Sequence, residues 1–137
     1  MSNGEPTTLL TTELELVAPF DLSPLLAHLG SRASPLRNSV DGAVHTLWLE
    51  PDPEPRDLDA AIDHWVTIVD ALPAHLRSLW DACTDRCLNT GIQSGFSPHA
   101  SRLAVSEGSV KGAARIAVRL VFTVYAADHS HDERAPR

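Results

Sequence analysis

Leu58-Asp59-Ala60-Ala61-Ile62-Asp63-His64-Trp65-Val66-Thr67-Ile68-Val69-Asp70-Ala71-Leu72 carries the strongest periodic signal in the chain. Leu58, Ala61, Ile62, Trp65, Val69 and Leu72 recur every three or four residues and form one apolar stripe, while Asp59, Asp63, Thr67 and Asp70 face elsewhere. Asp57 stands where an N-cap belongs. Pro73 lacks an N–H and restricts Leu72, so it must break or kink the helix. The stripe resumes through Leu76, Leu79, Trp80, Cys83 and Cys87. The spacing therefore predicts a long Pro-broken helix in two pieces, about 57–72 and 74–86.

Outward from this helix the pattern alternates. Leu10, Thr12, Leu14 and Leu16 share one face of a strand and Thr11, Glu13 and Glu15 the other, until Pro19 ends it. Ser23 and Pro24 suit a helix start, and Gly30 a stop after Leu22, Leu25, Leu26 and Leu29. Residues 31–43 read as a loop and Val44–Glu50 as a second strand. Pro51, Pro53 and Pro55 remove three donors, which makes 51–55 a rigid acidic elbow unable to join a sheet. A third strand over 88–93 is weakened by Gly91, with Gly95 just beyond. A turn at 97–99, a brief strand over 102–105 and a weak helix over 106–115 follow. The run 118–125 alternates with apolar residues on both faces, which reads as a central strand.

Strands with one half-wet face and helices of this length give an α+β fold. The expectation is a mixed or mostly antiparallel sheet of four to five strands, with the broken helix and shorter helices packed on one face. One domain over 9–127 follows, between flexible ends at 1–8 and 128–137.

The 137 residues hold 11 Lys and Arg against 18 Asp and Glu, a formal charge of −7. Residues 41–85 carry −8 of it, residues 1–40 carry −2 and residues 86–137 carry +3. Such an acidic chain excludes nucleic acid as an expected partner, because phosphate binding rests on clustered bases. No apolar run approaches the ~20 residues of a membrane span. No Lys or Arg precedes Arg32, as the basic start of a secretory leader requires. A cytoplasmic protein without a membrane partner is expected.

The candidate chemistry is sparse. Seven histidines lack metal-ligand spacing, and His129 and His131 sit in a polar tail with nothing to orient their rings. Cys83 and Cys87, four apart on the expected helix, read as core residues whose same-helix geometry disfavours a disulfide between them. No nucleophile elbow or phosphate loop occurs. No catalytic residue, metal or cofactor is assigned.

Glu50, Asp52, Glu54, Asp57, Asp59 and Asp63 are the sharpest surface feature. Acids at a helix start answer the macrodipole. Gathered on a stiff proline segment, they also make a docking patch for a basic protein, steering its approach. The leading expectation is a non-catalytic protein-binding domain. The alternative is a small enzyme or ligand-binding domain whose pocket, between sheet and helices, uses His64, His99 and Arg102. Self-association into a homo-oligomer through edge strands is a third course.

Five segments carry a resemblance. They are Thr12-Glu13-Leu14-Glu15-Leu16, the long helix with its Leu-rich second half, Ile92-Gln93-Ser94-Gly95-Phe96, the Ser-Glu-initiated helix at 106–115, and Val121-Phe122-Thr123-Val124-Tyr125. Over residues 9–127 the chain resembles a family of small bacterial proteins catalogued as a domain of unknown function. The resemblance implies an α+β, intracellular protein and supplies no catalytic residues. Small acidic domains of this kind also look like immunity proteins, which neutralise a toxin by covering its active site.

Overall fold

The computed structural model describes residues 6–96 and 100–127, without the side chain of Leu10. Thr8–Ala18 forms β1, Ser23–Leu29 α1, Ala33–Asp41 β2 and Val44–Pro51 β3. Leu58–Asp70 is α2, Ala74–Ala82 α3, Asp85–Gln93 β4, Glu107–Arg115 α4 and Arg119–Tyr125 β5. Among the described residues five strands make one sheet in the order β2-β3-β1-β4-β5, antiparallel throughout except for the parallel pair β4 and β5. The α+β fold and mostly antiparallel sheet agree with the alternating strands.

Thr12, Leu14, Leu16 and Ala18 of β1 are buried, as are Leu47 and Leu49 of β3 and Leu88, Thr90 and Ile92 of β4. This face packs on Leu25 and Leu29 of α1, Ile62, Trp65 and Val69 of α2, and Leu76 and Trp80 of α3. Glu13, Glu15, Val17, Trp48 and Glu50 alternate onto the opposite face and stay half-buried.

The broken helix is two short, separate helices of 13 and 9 residues. Asp57 caps α2, its Oδ1 accepting the Ala60 N–H at 2.8 Å. Pro73 becomes the N-cap of α3, its carbonyl taking the Leu76 and Arg77 N–H groups at 3.0 and 2.9 Å. The second helix stops at Ala82, short of the expected 86. Thr84 turns the chain onto the sheet by donating both its N–H and its hydroxyl to the Val17 carbonyl, at 2.8 and 3.0 Å. Arg86 gathers the carbonyls left open at the end of α3, reaching Trp80 at 3.1 Å and Cys83 at 2.8 Å, and Ala117 at 2.9 Å. Cys83 thus ends a helix and Cys87 lies on β4, so the two do not share a helix.

Four further expectations are corrected. Most of the segment read as a loop, 31–43, is the edge strand β2. Its polar residues and Pro35 fit an edge, where a missing donor costs no ladder bond. Gly42 at φ +62° makes the two-residue turn into β3, a backbone conformation that needs glycine. Pro51, placed in the elbow, pairs with Ala33 as the last residue of β3, and the Asp52 N–H donates to the Arg32 carbonyl at 3.0 Å. Residues 102–105 form no strand. The run read as a central strand is the outermost one, β5, whose apolar side chains remain partly exposed. The expected turn at 97–99 and the tail from 128 lie outside the described residues, as does most of the expected N-terminal arm.

Candidate functional site

The six acids divide between two settings. Glu50, Asp52 and Glu54 converge on a hollow of about 340 Å³ at the end of the sheet, walled by Thr11, Thr12, Ser34, Pro51 and Pro55. Among the described residues no Lys or Arg lines it. The proline-rich segment is held there by the Asp52–Arg32 backbone bond, so the carboxylates sit on a stiff rim.

Asp57, Asp59 and Asp63 lie elsewhere, on α2. Asp57 is committed to the helix cap and stands 3.8 Å from the Arg56 guanidinium. Asp59 accepts the Ser106 N–H at 2.9 Å, and Asp63 accepts the Ser109 hydroxyl at 3.2 Å. These two carboxylates therefore hold the N-terminus of α4, where its positive dipole end favours them. The Ser106 N–H is the main reason that the Asp59 carboxyl lies below its ordinary range.

Two acids outside that expectation, Glu13 and Glu15, lie on β1, beside the strand that carries Glu50. The register pairs Leu14 with Leu49, which sets Glu13 beside Glu50 on the outer face, with Glu15 two residues along β1. Burial, then the charges of Glu15 and Glu50, push the Glu13 carboxyl above its ordinary value. Period-two alternation puts Glu13 and Glu15 on one side of a strand, but their approach to Glu50 depends on pairing 35 or more residues away. Cationic groups flank this face. Arg37 lies over the Trp48 ring at 5.2 Å, and Arg119 grips Asp85 at 3.2 and 3.0 Å. Asn89 bridges the sheet between Glu15 and Thr123, at 3.3 and 2.9 Å.

The residues proposed for a ligand pocket are placed differently. His64 Nε2 lies 2.9 Å from the Arg32 carbonyl, and the ring meets Trp65 edge-on at 5.1 Å. His64 borders an open hollow of about 500 Å³ on the outer side of α2, with Arg32, Arg56, Asp57 and Asp63. Arg102 is exposed in an irregular segment, and His99 lies outside the described residues. Between sheet and helices, the void bounded by Leu14, Leu16, Trp65 and Trp80 is about 10 Å³. That is room for one water at most.

Burial raises both thiols, Cys83 to about 11. Among the described residues no three His, Cys, Asp or Glu side chains are grouped to hold a metal, and no helix is long and apolar enough to cross a membrane. Neither protein-family models, nor curated proteins, nor solved structures give a match to this chain.

Proposed function

We propose that this chain is a non-catalytic, cytoplasmic bacterial binding domain that docks a basic protein on the carboxylates of Glu50, Asp52 and Glu54, extended along β1 by Glu13 and Glu15. The observation that carries the reading is the hollow of about 340 Å³, on which three carboxylates converge with no cation among the described residues of its walls. Free carboxylates on a stiff rim attract Arg and Lys side chains at little entropic cost, and the surrounding field speeds encounter. The same chemistry serves an immunity-type inhibitor, which covers a basic active site. Asp57, Asp59 and Asp63 contribute field rather than contacts, because each is already engaged within the chain.

The test is titration of the full chain with a deca-arginine peptide, followed by backbone amide shifts. Expected are shifts clustered on Thr11, Ser34, Glu50, Asp52 and Glu54, weakening as salt is raised, and lost in the Glu50→Gln/Asp52→Asn/Glu54→Gln variant. Shifts spread evenly over all exposed acids, or binding unchanged in that variant, would defeat the proposal.

A further inference from the structure

The two edges of the sheet are built differently. At β2 the outer strand carries Pro35, a register shift between Pro35 and Arg37, and charges at Arg37 and Asp41. These are the devices that stop an edge from pairing with another chain. At β5 the sequence Arg119-Leu120-Val121-Phe122-Thr123-Val124-Tyr125 has no proline, no register shift and no charge after Arg119. Phe122, Val124 and Tyr125 are 45%, 61% and 53% exposed. Every second residue of β5 turns its N–H and C=O away from β4.

We infer that β5 pairs antiparallel with β5 of a second copy, about a two-fold axis at Phe122. The strand is self-complementary in that register. Leu120, Phe122 and Val124 pair in register with Leu88, Thr90 and Ile92, which places them on the helix side of the sheet. The two-fold sets Leu120 against Val124 of the second copy and Phe122 against its own counterpart, so apolar meets apolar on this face. On the other face Val121 meets Thr123, and Arg119 meets the Tyr125 ring, a favourable cation–aromatic pair. The pairing also widens the apolar wall of the hollow of about 430 Å³ that Phe122 and Val124 share with Ile92 and Leu103. Since β2 is guarded, assembly closes at two copies and a ten-stranded sheet rather than running on as a filament. One strand pair is a small interface, so the dimer depends on concentration.

Sedimentation equilibrium of the full chain tests this. The expected mass rises with concentration to twice that of the monomer and stops there. Phe122→Lys and Val124→Lys, at exposed positions, abolish the rise while keeping the far-ultraviolet circular dichroism of the parent, whereas Val40→Lys on β2 leaves it intact. Phe122→Cys cross-links on oxidation to the dimer mass, and Val40→Cys does not. A monomer at every concentration overturns the inference, as does mass growing beyond two copies, or a dimer lost in Val40→Lys but not in Val124→Lys. A dimer seen only after residues 128–137 are removed overturns it too, since the tail would then be what covers β5.

Discussion

Asp59 Oδ1 accepts the backbone N–H of Ser106 at 2.9 Å, across 47 residues of chain. It is the first rung of a ladder between α2 and α4. Asp63 meets Ser109, Val66 meets Gly112, and Asp70 meets Arg115 at 2.7 Å. Positions 106, 109, 112 and 115 share one face of α4 and 59, 63, 66 and 70 one face of α2, as helical spacing requires. Asp59 is held low by the Ser106 N–H and Asp70 by the Arg115 guanidinium. Their contribution to stability is therefore complete above the ordinary Asp value of about 3.9 and is lost as pH falls through their lower folded values. Thermal midpoints of the parent should exceed those of Asp59→Ala at pH 7, with the gap closing below about pH 4. A gap that stayed constant to pH 2 would remove the carboxylate from this role.

The third rung is steric. A Cβ on Gly112 would lie 3.1 Å from Val66 Cγ2 and 3.2 Å from Cγ1, against a β-branched side chain with little rotamer freedom. Replacing a helical glycine by alanine ordinarily stabilises by about 1 kcal/mol. That gain should be absent in Gly112→Ala and emerge in a Val66→Ala background, a coupling of at least about 0.5 kcal/mol in a double-mutant cycle. Additive denaturation energies would show that the two residues do not press on one another.

Trp80 Nε1 donates to the Ile116 carbonyl at 2.7 Å, both residues being buried, and so ties α3 to the end of α4. Trp80→Phe keeps most of the packing and strands the carbonyl. The expected loss is about 1–3 kcal/mol in urea denaturation, with native circular dichroism retained. A change below about 0.5 kcal/mol, the usual spread for featureless sites, would mean that the bond is replaced.

Burial holds the Cys83 thiol up at about 11 and raises Cys87 as well. Thiolate is the reacting form. The native protein should therefore react negligibly with a disulfide reagent at pH 7.5 and release two equivalents of thiol once unfolded. Rapid native labelling of either cysteine would contradict the burial of both side chains.

Burial of Glu13, reinforced by the charges of Glu15 and Glu50, carries the opposite pH sign from Asp59. Its raised carboxyl makes the folded state bind protons more readily, so stability falls as pH rises from the ordinary Glu value of about 4.3 through the folded one. Glu13→Gln should raise the melting temperature at pH 7 and leave it unchanged at pH 3. Added salt should shrink the difference, as screening predicts. A variant less stable than the parent at pH 7 would show that Glu13 makes favourable contacts instead.

Much of the secondary structure was legible locally. The stripe from Leu58 to Val69, the caps at Asp57 and Ser106, and the alternation of Thr12, Leu14 and Leu16 all reflect interactions within a few residues. Local pattern misled where burial and pairing differ. Apolar residues on both faces of 118–125 resembled a strand covered on two sides, though β5 lies at the rim. Pro35 and its polar neighbours resembled a loop, although an edge strand tolerates both. The Cys83–Cys87 spacing continued a helical stripe that Thr84 and Arg86 end through bonds to Val17 and Ala117.

The same division runs through the candidate site. Local sequence alone settles how many carboxylates the central segment holds, that prolines stiffen part of it, and that Asp57 caps α2, because composition, ring closure and capping are properties of neighbouring residues. Which acids are free depends on contacts between distant elements. Asp59 and Asp63 are consumed by a helix that arrives more than 40 residues later, while strand register sets Glu13 beside Glu50. A carboxylate's availability depends on the charges and donors brought within a few ångströms of it, and for these residues the chain brings them from afar.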